Sequence, residues 1–142
     1  SDLRKVIAAI KIASELERIG DYAKNISKFL IKNDHLTDIV CDYAISMEKD
    51  LIGMLEKAMQ CMVDQDEEAA FAIPESDHRI NQQMKDIREK LLSQNGVDKE
   101  QLLDELFEIS AMLRNIERAG DHVKNICEHI LYMMKGQHYD FG

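Results

Sequence analysis

Apolar residues in this 142-residue chain recur at steps of three and four, and that spacing leaves long helices lying side by side as the way to bury them. The clearest run is Leu36, Val40, Tyr43, Met47, Leu51, Met54, Ala58 and Met62, a bundle seam in a segment from about Leu36 to Val63. Strand and turn formers do not compete with it, since the chain has one Pro, six Gly and no Trp. The fold class is therefore all-α.

Three further segments follow from the same spacing. The first, Asp2 to Ile31, carries one seam of Ile12, Leu16, Ile19, Ala23, Ile26 and Leu30, and a second of Leu3, Ile7 and Ile10. Two seams place this helix between two neighbours. It ends at the polar pair Asn33 and Asp34. The third segment, Glu67 to Ser93, buries Ile80, Met84, Ile87 and Leu91 and ends at Asn95 and Gly96. Pro74 is expected to kink it, or to delay its start to Glu75, because Pro removes a helical hydrogen bond and crowds the preceding turn. The fourth opens at Asp98, an N-cap with Gln101 placed to complete a capping box, and runs to Lys135 before Gly136. Its stripe is Leu102, Leu106, Ile109, Leu113, Ile116, Val123, Ile126, Ile130 and Met134, and at 1.5 Å per residue its length is about 55 Å. Residues 137–142 have no helical pattern and are expected to fray.

One string occurs twice. Glu17 to Ile26 reads E-R-I-G-D-Y-A-K-N-I and Glu117 to Ile126 reads E-R-A-G-D-H-V-K-N-I, seven identical positions of ten at an offset of 100 residues. Duplication of a structural unit is the simplest cause. Each copy lies in the second half of a long helix, so the chain is expected to hold one complete unit (33–136) after the last helix (1–32) of a truncated one, with 137–142 as a tail.

In each copy the acids lie four residues apart and share a helix face, Glu17 with Asp21 and Glu117 with Asp121, with Asn25 and Asn125 one turn on. Two or three oxygen ligands on successive turns hold a hard cation or a carboxylate-bridged cluster when a facing helix completes the shell. Ion pairing with Arg18 and Lys24, or Arg118 and Lys124, is the plainer reading of the same acids. Gly20 and Gly120 accept a helix cost of roughly 1 kcal/mol, which points to close approach of a neighbouring helix or a partner's backbone. Asn25 and Asn125 suit either an anchor between helices or a metal oxygen.

Other chemistry is thinly represented. Glu75 and His78 make one E-x-x-H, whereas di-iron bundles need two such motifs and two further Glu. His122 and His129 lie seven apart on one side of the last helix. Cys41, Cys61 and Cys127 sit in apolar patterns without C-x-x-C spacing and read as buried thiols in a reducing compartment. Neither a phosphate loop nor a nucleophile elbow occurs, so nothing nominates an enzyme. With 27 acidic residues against 18 basic, the net charge of −9 excludes nucleic acid as the main partner. No apolar stretch approaches the roughly 18 residues of a membrane span, and no direct membrane insertion is expected.

The doubled E-R-x-G-D-x-x-K-N-I string, with D-L-R-K-V-I-A-A-I-K-I-A-S-E-L at Asp2 to Leu16 and the ending at Gly136 to Gly142, resembles the PhoU family of phosphate-uptake regulators over essentially the whole chain. The resemblance implies antiparallel three-helix bundles of spectrin-like form related by duplication, here one bundle plus an extra long helix, in a cytoplasmic, often dimeric protein. It implies a negative regulator of phosphate uptake and phosphate-starvation signalling, an adaptor between the ATPase subunit of a phosphate ABC transporter and a sensor histidine kinase, with no catalysis of its own. Some relatives hold iron or zinc clusters through E(D)-x-x-x-D motifs. That carries onto Glu17 with Asp21 and Glu117 with Asp121, and onto Asp77, where the fourth position on is Asn81 and the pattern is broken. A metal-dependent enzyme or metal store is the alternative, as is an accessory domain of a sodium-phosphate cotransporter. The second seam of the first helix is expected to find cover in a symmetric partner.

Overall fold

The computed structural model describes residues 2–33, 38–93 and 98–141. Asp34, Leu36, Asn95, Gly96, Gly142 and the Leu102 side chain, all named above, lie outside them. The described elements are helices α1 (Asp2–Lys32), α2 (Asp38–Asp64), α3 (Glu67–Ala72), α4 (Asp77–Leu92) and α5 (Lys99–Lys135), with a 3-10 turn at Ile73–Ser76 between α3 and α4. There is no strand among the described residues.

α5 is the axis of the molecule. It has core residues all round much of its length: Ile109, Met112, Leu113, Ile116, Val123, Ile126, Ile130 and Leu131 are each at most 1% exposed. α2 and α4 pack on one side of it as a three-helix bundle, with α3 across one end, and α1 packs on the other side. The α2 seam is confirmed from Val40 through Ala58, and Ile80, Met84, Ile87 and Leu91 of α4 meet it in one continuous core. Asp50 of α2 ties the pair at the surface through Arg79 (3.1 Å) and Gln83.

Pro74 does more than kink its segment. Asp66 caps α3 by accepting from the Ala69 backbone N–H at 3.1 Å, and the helix is interrupted one turn later by the 3-10 turn holding the buried Pro74. The α-helix resumes at Asp77, two residues beyond Glu75. At the other end of α4's partner, Asp98 caps α5 through the Glu100 N–H, and Gly136 ends it in the left-handed region (φ 71°), its N–H donating to Tyr132 O at 2.8 Å. The tail is non-helical but docked: Tyr139 and Phe141 pack edge-on against Phe71, and the Phe141 N–H donates to Glu128 at 2.8 Å.

α1 runs antiparallel to α5. Arg4 Nε donates to Met133 O at 3.2 Å near one end, while Tyr22 stacks on His122 (centroids 5.5 Å apart, planes 23° from parallel) further along. Ala8, Ile12, Ile19 and Ile26 face α5. The opposite side of α1 is uncovered among the described residues: Leu3, Val6, Ile10 and Ile31 are 54–80% exposed.

Candidate functional site

Tyr22 and His122 occupy the same position in the two copies of the repeat, and they touch. The two copies of the repeat therefore meet where the antiparallel helices α1 and α5 pack together. The two signatures nevertheless sit in opposite environments, because α5 is covered on its far side and α1 is not.

In the first copy, Glu17, Arg18, Gly20, Asp21, Lys24 and Asn25 are all exposed. A Cβ built on Gly20 would have nothing within 4 Å. The expected close neighbour is therefore not present among the described residues, and Glu17 and Asp21 stand on the open face.

In the second copy the expected close approach is real. Gly120 is buried, and a Cβ there would lie 2.9 Å from Asp77 Oδ1. The space that glycine leaves lets the first residue of α4 press against α5. Lys124, one turn on from Gly120, reaches the other oxygen, with Nζ 2.8 Å from Asp77 Oδ2 and 3.8 Å from Asp121 Oδ1. Asn81 Nδ2 donates to Asp77 Oδ2 at 3.5 Å, so the residue that breaks the acidic pattern serves the remaining acid as a hydrogen-bond donor. Burial opposes the charge on Lys124, but the hydrogen bond and charge of Asp77, with Asp121 and Glu117 beyond it, outweigh burial and hold its ammonium above the ordinary lysine range. Beside this pair lies a recess of about 440 Å³ lined by Glu75, His78, Asn81 and Phe141 together with Asp77 and Lys124.

The five carboxylates named as candidate metal ligands do not converge. Glu17 and Asp21 belong to the open face of α1, Glu117 and Asp121 to the surface of α5, and Asp77 is buried against Gly120 with a lysine on it. Among the described residues no group of three or more His, Cys, Asp or Glu side chains is placed to hold a metal ion. The ammonium of Lys124 lies beside Asp77 and Asp121 and balances their charge there. Arg18, Arg118 and Glu117 are exposed and form no ion pair with each other.

A second cluster escaped the sequence reading. Glu15 of α1 accepts from His122 Nδ1, lies 3.4 Å from Asn125 Nδ2 through both oxygens, and lies 3.6 Å from His129 Nε2. It explains why His122, Asn125 and His129 share a face: all three turn toward one carboxylate across the helix pair. No pattern along the chain marks it, because Glu15 lies outside the repeated string and meets its partners only across the helix pair.

The thiols are core residues. Cys61 and Cys127 are buried, Cys41 is half-buried, and all three are free. Burial, then the neighbouring Cys61 and Glu128, push the Cys127 thiol up to about 12.

Comparison with known proteins places this architecture. A model of the PhoU domain family matches residues 1–30 and 44–130. The chain is 33% identical over 138 residues to the phosphate-specific transport system accessory protein PhoU of Serratia marcescens, covering 96% of this chain and 56% of that protein. The proteins of the same name from Edwardsiella tarda and Escherichia coli K12 are 33% and 32% identical over 142 residues, with 98% of this chain and 57% and 58% of theirs covered. The chain thus spans somewhat over half the length of the curated relatives it matches.

Proposed function

This chain belongs to the PhoU domain family, and we propose that it serves phosphate transport as a non-enzymatic accessory regulator, an adaptor that restrains phosphate uptake and starvation signalling. Its partners in this reading are the ATPase subunit of a phosphate ABC transporter and a sensor histidine kinase. The family match and the relatives' description as phosphate-specific transport system accessory proteins support the transport setting.

The observation that carries the adaptor reading is α1, a 31-residue helix held along one side by α5 with the other side open. That open side divides in two. Its first half presents Leu3, Val6 and Ile10, an apolar strip suited to a second copy of the chain in a homodimer. Its second half presents Glu17, Asp21 and Asn25, and with a net charge of −9 behind it this acidic stretch suits basic patches on the ATPase and kinase and speeds their encounter. No helix of the described residues is long and apolar enough to cross a membrane, so contact with a transporter runs through its non-membrane parts in this reading. A cytoplasmic setting belongs to the same proposal, supported by three unpaired cysteines.

Co-purification tests it. The protein is expected to retain both the transporter ATPase and the kinase, and Asp21→Ala to weaken at least one of them more than Asp121→Ala does, because Asp121 shares its charge with Lys124. Retention of neither partner by the unmodified protein overturns the adaptor reading.

A further inference from the structure

Where the end of α2 meets α3 and the turn after it, small side chains leave an opening. Cys61, Ala69, Ala72 and Ile73 form the apolar wall of a cavity of about 300 Å³, and Asp50, Gly53 and Arg79 line a neighbouring one of about 200 Å³. Lys57 and Ser76 line both, so they stand where the two meet. We infer that this double cavity is a binding site for a small molecule with an apolar body and a carboxylate, the body seated against Cys61, Ala69, Ala72 and Ile73 and the carboxylate taken by Lys57 and Ser76. The inference goes beyond the transport reading and does not depend on it.

Three observations carry it. First, the opening is built into the local fold. The Asp66 N–H donates to Cys61 O at 3.2 Å and the Cys61 Sγ–H donates to Asp66 O at 2.9 Å, which fixes the turn from α2 into α3. α3 then brings alanine to positions 69 and 72, so the space beside α2 stays unfilled. Cys61 and Ile73 behind it are buried, and burial pushes the Cys61 thiol up, so this wall carries no charge. A mostly apolar cavity of this size with a few polar groups at one side is what small-molecule sites look like. Second, the polar groups at the junction are free while the acids around them are engaged. Among the described residues Lys57 makes no ion pair and the Ser76 hydroxyl no hydrogen bond. Both Asp64 oxygens accept from Gln60 at 3.0 Å, Asp66 accepts from the Ala69 N–H at 3.1 Å, and Asp50 is held by Arg79 and Gln83. An unpaired ammonium beside a free hydroxyl, with a three-quarters exposed Arg79 beyond them, is the chemistry that a carboxylate answers. Third, the two halves differ in kind. An apolar wall lies on one side of Lys57 and a polar cavity on the other, open at Gly53, where a Cβ would have nothing within 4 Å. That order suits a ligand with a body and a head, and neither a plain hydrocarbon nor a bare anion uses both.

The test is an NMR chemical-shift titration of isotope-labelled wild type, Lys57→Gln and Ala72→Leu with millimolar phenylacetate and with its neutral counterpart, phenylacetamide. Both probes are expected to shift Cys61, Ala69, Ala72 and Ile73 in the wild type, and the carboxylate to bind at least about fivefold more tightly than the amide. Lys57→Gln is expected to lose that preference and keep the affinity for the amide, because it removes the charge and leaves the apolar wall. Ala72→Leu, which fills the space beside the wall, is expected to lose both probes. Lys57 and Ala72 are exposed, so both variants are expected to keep the wild-type spectrum away from the cavity. The inference is overturned if the four wall residues do not shift in the wild type, if the wild type binds both probes equally, if Lys57→Gln keeps the preference for the carboxylate, or if Ala72→Leu binds as the wild type does.

Discussion

Gly20 and Gly120 are the same residue in the same ten-residue string, and they are expected to respond to alanine with opposite signs. At Gly20 a Cβ meets open space, so Gly20→Ala gains helix propensity and raises stability by about 1 kcal/mol. At Gly120 the Cβ would intrude to 2.9 Å on an Asp77 carboxylate that Lys124 holds in place, and the overpacking exceeds the propensity gain, lowering stability by about 1 kcal/mol. Urea unfolding of the two single variants checks both signs; equal shifts would contradict the geometry. The cysteines divide similarly. Cys41 is expected to react with a thiol reagent in the folded protein, and Cys61 and Cys127 only on unfolding. The Cys127 thiol titrates at about 12 when folded against 9.0 in the unfolded chain. Its contribution is fully present below pH 9.0 and lost as pH rises toward 12, since the unfolded chain releases the proton first. Wild-type melting temperature should fall more steeply than that of Cys127→Ala across this window. At this scale residue types were readable and their surroundings were not: Gly, Lys and Asn repeat in the string, yet only tertiary packing separates the pair at 20 and 24 from the pair at 120 and 124.

At the scale of elements, the helices follow from apolar spacing because burial of one stripe is what a helix in water needs, and stripe and helix share a period. That is why α2 and α5 match their seams from Val40 to Ala58 and from Ile109 to Ile130. The break at Pro74 was legible as a break, but its form, six helical residues, a 3-10 turn and a restart at Asp77, depended on Asp66 capping a new short helix and on Pro74 finding a buried place. The tail shows the opposite case. Residues 137–141 have no period to read, and yet Tyr139 and Phe141 are held on Phe71 by aromatic edges and by Glu128. Phe71→Ala is expected to free the tail, seen as faster proteolysis within 137–142 and increased amide exchange at Phe141, with the helical content unchanged. A tail that stays protected in Phe71→Ala would place its anchor elsewhere.

For the whole molecule, the packing of α1 on α5 brings the two copies of the repeat together, and the covering of only one member decides which surface is available. Ile31 is 80% exposed while its counterpart Leu131 is wholly buried. Each such residue gains about 1.5–3 kcal/mol if covered, which is the drive behind the proposed dimer through Leu3, Val6 and Ile10. Light scattering at micromolar concentration is expected to give a dimer, and Leu3→Glu with Ile10→Glu a monomer of unchanged helicity; a monomeric wild type with α1 well ordered removes the dimer proposal. By itself the sequence determined that the chain is all-helical, where most helices start and stop, that a unit is repeated, and to which family the repeat belongs, because these rest on periodicity, caps and identity along the chain. Tertiary structure alone decided that Glu15 gathers His122, Asn125 and His129, and that Asp77 lands on Gly120 with Lys124 paired to it. Those contacts join residues from 43 to more than 100 positions apart, and no local pattern records which side chain will stand opposite which once two helices have packed.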